Sequence, residues 1–213
     1  MRKLIIILVF FLTCPQLTKA QDEKFHFGLK ITPSMAWIKP DRNGLKRDGY
    51  KLGFAYGVQT EFSLQKNYAI ATGVQVAYRG GKIRFEAGND SSGNPLADPV
   101  INFKLQYVEI PVCLKMLTNQ FNKTRYYGMF GFSPSFLIRS KKDSDEEDNI
   151  SAKDDFNIFN MNMIIGAGVE YTLSGSTVAF GGLEFNNGFF DIFDGDGAKG
   201  VTNYLGLNVG ILF

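Results

Sequence analysis

The amino-acid sequence predicts an all-β protein, an eight-stranded antiparallel up-and-down transmembrane β-barrel preceded by a cleaved signal peptide. Three observations predict it: a charged, then apolar N-terminal leader, a period-two alternation of bulky apolar with small or polar residues, and connections that alternate long and short.

The leader is residues 1–20. Arg2 and Lys3 precede the apolar run 4–12, then come the helix-breaking Pro15 and the small-residue end Thr18-Lys19-Ala20, the charged, apolar and cleavage-site order of a secretory signal. An apolar core of about nine residues falls short of the roughly 20 that a spanning helix needs, so the segment reads as a removable address, with the mature barrel domain at 21–213. Cys14 opens a lipoprotein reading, against which Thr13 stands where such signals usually carry Gly, Ala or Ser. Cleavage after Ala20 leaves Cys113 as the remaining cysteine, which excludes an internal disulfide and a cysteine metal site.

Without Arg2, Lys3 and Lys19 the chain carries 20 basic against 21 acidic side chains, a net charge of minus one. No basic excess is left to neutralise phosphates, so a nucleic-acid partner is not expected. The 23 glycines, 20 phenylalanines and nine tyrosines favour strands and tight sheet packing over helices.

The alternation is clearest over residues 51–64. Leu52, Phe54, Tyr56, Val58, Thr60, Phe62 and Leu64 interleave with Lys51, Gly53, Ala55, Gly57, Gln59, Glu61 and Ser63. One face is bulky and apolar, the other small or polar, which in a membrane barrel sets lipid against a crowded interior. The split recurs at Tyr68, Ile70, Val74, Val76 and Tyr78, and again at Leu205, Leu207, Val209, Ile211 and Phe213. Further strands are expected near residues 25–35, 102–116, 125–138, 159–173 and 177–186, which brings the total to eight. Along 102–116 Phe103, Leu105 and Tyr107 read as lipid-facing, but beyond them Val108, Ile110, Val112 and Leu114 do. A bulge near Tyr107 is expected to reconcile the two halves, and Pro111 marks further irregularity.

Residues 37–50, 80–100, 139–158 and 187–200 are long connections, while 65–67, 118–124 and 174–175 are short. That order separates a membrane barrel from a lipocalin-like soluble barrel. It puts both termini at the periplasm and the polar, turn-rich long loops outside. Trp37, Tyr50, Tyr68, Tyr78, Tyr126, Tyr127 and Tyr171 fall near strand ends, where an interfacial belt or plain strand preference places aromatics.

The stretch Tyr107-Val108-Glu109-Ile110-Pro111-Val112 resembles the Tyr-x-Glu-Ile-Pro strand signature of the PorT-like outer-membrane barrel family of Bacteroidetes. Gly166-Ala167-Gly168-Val169-Glu170-Tyr171 and the closing Leu207-Asn208-Val209-Gly210-Ile211-Leu212-Phe213 fit it too. The aromatic Phe213 on an alternating last strand also resembles the signal by which such barrels reach their insertion machinery. The resemblance implies an eight-stranded barrel in the outer membrane. The family's namesake is associated with a secretion and gliding apparatus, a role not carried onto this chain.

Lys30, Glu61, Arg79, Glu109, Glu170 and Glu184 fall on inward phases. An eight-stranded barrel is just wide enough to be filled by side chains, and charges inside it must be paired. Two readings follow: an interior polar network that plugs the lumen, or a proton or ion path. A lipid A-modifying enzyme needs a catalytic set at the outer rim, whereas the single histidine, His26, lies at the periplasmic start of the first strand. The charged run 141–148 with Asp154-Asp155 suits divalent cations at a lipopolysaccharide surface or simple solvation. Asp194-Gly195-Asp196-Gly197 resembles a fragment of a calcium loop without its other ligand positions.

The sequence therefore leads to a monomeric outer-membrane barrel without catalytic residues or cofactor, in contact with outer-membrane lipid and lipopolysaccharide. Its expected role is structural or interactive, through the loops or the periplasmic rim toward an unidentified protein. A narrow pore or small-solute binder and the lipid A enzyme are the alternatives.

Overall fold

Strands of alternating character have one economical way to satisfy every backbone N–H and C=O in hydrocarbon, which is to close on themselves. The computed structural model describes residues 25–41, 44–85, 99–143, 150–152, 155–195 and 199–213. The leader, the acidic run 144–148 with Asp154, and Asp196-Gly197 lie outside the described residues.

The strands are β1 (Phe25–Pro40), β2 (Leu45–Arg47), β3 (Lys51–Gln65), β4 (Tyr68–Phe85), β5 (Val100–Glu109) and β6 (Val112–Leu117). They continue as β7 (Thr124–Asp143), β8 (Ile150–Ser151), β9 (Phe159–Ser174), β10 (Thr177–Gly188) and β11 (Gly200–Leu212). β5 and β6 are two halves of one wall strand, since both lie between β4 and β7. β2 and β8 are short additions that pair only with β4 and β7. The remaining ladder runs β1-β3-β4-β5/β6-β7-β9-β10-β11 and returns to β1, an antiparallel, up-and-down cylinder of eight wall strands. Its seam is completed by mutual backbone bonds between Phe27 and Phe213.

Several strands run farther than the sequence reading allowed. β1, β4 and β7 continue to Pro40, Phe85 and Asp143, through residues expected in the long connections. Their ladders outlast the lipid-facing pattern because neighbours keep pairing them at that end, β11 for β1, β2 and β5 for β4, and β5 and β8 for β7. At the other end β3 and β4 are joined by Lys66-Asn67, and β9 and β10 by Gly175-Ser176, where Gly175 takes φ 57°, a left-handed conformation that glycine adopts without strain.

The inward phase is unbroken along β5 and β6. Phe103, Leu105, Tyr107 and Glu109 are buried, and so are Pro111, Cys113 and Lys115 beyond them. The expectation that Phe103, Leu105 and Tyr107 meet lipid is thus corrected: Asn102, Lys104 and Gln106 take the outer wall. The register does shift between Gln106 and Tyr107, but the surplus residue is on the facing strand, where Gln106 opposes Arg139 and Tyr107 opposes Leu137, leaving Ile138 over. β7 changes phase there, from buried Leu137 to buried Ser140, as a bulge dictates. The break between β5 and β6 falls at Ile110-Pro111, where Pro111 has no N–H to give the ladder. In β1 the pairing with β11 skips Thr32 and Pro33 for the same reason.

Outside, Leu29, Ile31, Phe54, Phe62, Val74, Phe130, Ile165, Leu207 and Ile211 are exposed in a continuous apolar wall. Tyr50 and Tyr78 at the long-loop end, and Tyr68, Tyr126 and Tyr171 at the short-turn end, are exposed as a belt requires. Trp37 packs edge-on to Tyr50 at 5.9 Å. Tyr127 is a correction, because it is buried on the lumen side. Its hydroxyl fits between Gly168 and Gly182, which face each other across β9 and β10. A Cβ on Gly182 would stand 2.6 Å from that hydroxyl and 2.4 Å from the Ala167 carbonyl oxygen. Gly182→Val is therefore expected to cost about 1–3 kcal/mol through overpacking, read as a lower urea midpoint for the refolded barrel; an unchanged midpoint would show that the wall adapts.

Candidate functional site

Alternation turns one side chain in two toward the axis, so the lumen's contents follow from strand phase and register. From the short-turn end upward they form a vestibule, two charged layers with apolar packing beside the lower one, and an apolar plug.

The vestibule is a cavity of about 460 Å³ lined by His26, Glu61, Ser63, Arg125, Glu170 and Thr172 among others. His26 sits there beside Glu61, its register partner on β3, at the end where the sequence placed it. Above the opening is the first charged layer. Lys115 Nζ lies 2.6 Å from Glu61 and 2.5 Å from Glu170, and Arg125 lies 2.9 Å from the second oxygen of Glu170. Gln59 donates to Glu61 at 2.7 Å. The Lys115 ammonium stands 4.5 Å from the Tyr127 ring centroid and 5.5 Å from that of Phe180, so its charge is held by carboxylates and aromatic faces together. Packed beside this layer, Ala71, Cys113, Met129, Ile164, Val178 and Leu212 fill the wall's inner face.

The second charged layer joins two ion pairs through one tyrosine. Arg79 meets Glu109 at 2.7 Å, and Gln75 donates to the same carboxylate oxygen at 2.6 Å. Lys30 lies 3.6 Å from Glu184, which also accepts from the Tyr204 hydroxyl and, at 3.2 Å, from Asn208. The Arg79 guanidinium lies 3.8 Å from the centre of the Tyr204 ring, so Tyr204 offers its face to one pair and its hydroxyl to the other. Beside them Asn162 donates to Ser135 at 2.7 Å.

At the long-loop mouth the lumen turns apolar. Ile38, Ile83, Phe103, Leu105, Tyr107 and Leu137 project from the wall, and Ala152, Phe156, Ile192 and Phe193 come in from the connections. Phe103, Phe156 and Phe193 form a ring triad with centroids 5.1–5.6 Å apart, each such contact contributing about 0.5–1.5 kcal/mol beyond burial. The inserted segments are tied down by polar bonds. Asn157 donates to the carbonyls of Asp191 and Phe193, and the Asp191 carboxylate accepts from the N–H of Phe193 and of Gly200.

Of the six residues singled out in the sequence, Lys30, Glu61, Arg79, Glu109, Glu170 and Glu184, all face the lumen and are buried, in two separate groups. Not singled out were Lys115, Arg125 and the whole plug, nor Tyr204, Gln59 and Gln75, although the alternation puts these three on the inward phase. Lys115 and Tyr204 were readable by phase, standing two residues from Cys113 and from Gly206 on inward faces. Arg125 was readable from Tyr127 only once that residue was known to point inward. The plug residues Phe156, Ile192 and Phe193 lie on connections, where alternation carries no information. Among the described residues no group of three His, Cys, Asp or Glu could hold a metal ion; Asp143 pairs with Lys104 at 2.5 Å and Asp155 with Lys142 at 2.8 Å.

Solved structures share this architecture at low sequence identity. Neisserial surface protein A is similar over 92% of this chain and 100% of its own, with a TM-score of 0.50 and 14% identity. OprG from Pseudomonas aeruginosa matches 89% of this chain and 94% of its own (TM-score 0.48, 11% identity). Ail of Yersinia pestis, in complex with the heparin analogue sucrose octasulfate, matches 89% and 99% (TM-score 0.44, 14% identity). No curated protein sequence matches the chain. The family model described as outer membrane protein beta-barrel domain matches residues 19–194. With its closed wall and lipid-facing surface, this chain belongs to the outer membrane protein beta-barrel domain family, and its place is the bacterial outer membrane.

Proposed function

We propose that the protein is a sealed, monomeric outer-membrane scaffold that works through the surfaces at its two ends, its four long connections outward and its termini at the periplasm. The observation that carries this reading is the mouth, where Phe156, Ile192 and Phe193 fill the lumen against Phe103, Leu105 and Tyr107. Below it two layers of paired charges cross the same narrow bore, as expected of a barrel of this size. The interior network then acts as a structural plug, each cation neutralised by a carboxylate within 3.6 Å. Catalysis is not part of the proposal, since His26 opens on the vestibule and not on the outer rim.

The leader 1–20 fits export across the inner membrane, and the Tyr107–Val112 signature supports a place in the PorT-like family of Bacteroidetes. A second reading, small-solute binding, is favoured by the vestibule of about 460 Å³. Planar-bilayer recording tests the seal: the purified barrel is expected to insert without unitary current steps. Steady single-channel conductance from the wild-type chain would refute the sealed scaffold and leave the pore.

A further inference from the structure

Beneath the apolar plug the lumen carries a belt of polar side chains that the ion pairs do not exhaust. Register takes it across five neighbouring strands. Gln75 of β4 opposes Glu109 of β5, and Glu109 opposes Ser135 of β7; Ser133, the next inward residue of β7, opposes Asn162 of β9. Asn162 in turn opposes Gly188 of β10, two residues from the inward Asn186. Tyr107 is the inward neighbour of Glu109 on β5.

Gln75, Tyr107, Glu109, Ser133, Asn162 and Asn186 are each at most 2% exposed. Each also has a polar atom without a hydrogen-bond partner in the protein: Gln75 Oε1, the Tyr107 hydroxyl, Glu109 Oε1, Ser133 Oγ, Asn162 Oδ1 and Asn186 Nδ2. The other ends of the three amides fix which atom is left over. Gln75 Nε2 donates to Glu109 Oε2 at 2.6 Å, Asn162 Nδ2 donates to Ser135 Oγ at 2.7 Å, and Asn186 Oδ1 accepts from Arg79 at 3.4 Å. Buried polar atoms go unpaired only a few times in a hundred residues, so six on one belt mark a place where the pairing is left to a bound group. Gly188 leaves room for it: a Cβ there would stand 3.3 Å from Asn162 Oδ1.

We infer that this belt is a binding site for buried water, about two molecules at the roughly three hydrogen bonds that each such water makes. The water donates to Glu109 Oε1, Asn162 Oδ1 and Gln75 Oε1 and accepts from Asn186 Nδ2, while the Ser133 and Tyr107 hydroxyls serve either way. A metal cation suits the belt less well. Its one carboxylate, Glu109, already meets Arg79 at 2.7 Å, and a second positive charge would face that guanidinium at close range. Bound water joins the Arg79–Glu109 pair to Ser133 and Asn162, and so makes one hydrogen-bonded partition from β4 to β10.

The test is a crystal structure of the wild-type barrel, grown from a rubidium salt and at a resolution that shows ordered water. Compact density about 2.7–3.2 Å from Glu109 Oε1 and from Asn162 Oδ1, without an anomalous peak, is the expected result. Featureless density at these atoms, or an anomalous peak there, overturns the site. Ser133→Ala gives an independent reading in solution. If its hydroxyl holds water, its loss lowers the urea midpoint of the barrel in lipid vesicles by about 0.5 M. Removal of a hydroxyl that nothing pairs relieves a burial penalty instead, so a midpoint at or above that of wild type also overturns the proposal.

Discussion

Lys115→Met is expected to destabilise the folded barrel by about 3–5 kcal/mol, the cost of leaving buried carboxylates without their cation. Lys115 neutralises Glu61 at 2.6 Å and shares Glu170, at 2.5 Å, with Arg125. After the substitution Glu170 keeps Arg125, whereas Glu61 keeps only the neutral Gln59 amide at 2.7 Å. The penalty therefore belongs mainly to Glu61, and adding Glu61→Gln is expected to restore most of the lost stability. Urea unfolding of the barrel in lipid vesicles, followed by emission of the single tryptophan Trp37, measures both variants. A single-variant midpoint equal to wild type would mean that water reaches Glu61 from the vestibule and that this layer seals nothing.

Arg79→Leu is expected to cost a similar amount, about 3–5 kcal/mol, for a different arrangement. Arg79 is held by Glu109 at 2.7 Å and lies 3.8 Å from the Tyr204 ring centroid, deep between the plug and the lower layer, where solvent does not soften the loss. Pairing it with Glu109→Leu removes the orphaned charge. The double variant is expected to regain stability except for about 1–3 kcal/mol, because Gln75 loses the acceptor it holds at 2.6 Å. Unfolding midpoints of the two single variants and the double variant close the cycle. Additive losses would show that Arg79 and Glu109 do not act as a pair.

The number of wall strands and most of their facing were legible in the sequence, since lipid on one side and a crowded lumen on the other impose opposite demands on neighbouring residues. Leu52, Phe54, Tyr56 and Val58 could hardly be read another way. The reading failed where that premise lapses. At Phe103, Leu105 and Tyr107 the bulky side chains turn inward and Asn102, Lys104 and Gln106 outward, because that stretch of wall stands above the hydrocarbon and encloses an apolar plug. The alternation is present along β5, with its bulky members on the inner side. Strand lengths were underestimated for a related cause: residues 80–85 and 139–143 carry glycines, lysines and arginines that look like loop when membrane burial is the criterion, yet they pair normally.

For the interior, phase alone located Lys30, Glu61, Arg79, Glu109, Glu170 and Glu184, but not who meets whom. Lys115 bonds residues 54 and 55 positions away, a relation set by closure of the cylinder and invisible to local pattern. Tyr204 stands on the inner phase of β11, yet its place between Arg79 and Glu184 depends on three strands meeting across the bore.

Ile138, the one residue that β7 has over its neighbour β5, makes strand parity a fixed quantity. Below it odd-numbered side chains of β7 look inward; above it even-numbered ones do. Loss of Ile138 itself would only regularise the ladder, with Leu137 and Arg139 still opposing Tyr107 and Gln106, Arg139 still outward and Ser140 still inward. Away from the bulge, a change of length keeps every side chain on its own side only in steps of two; at Ile138 the strand has one residue to give up.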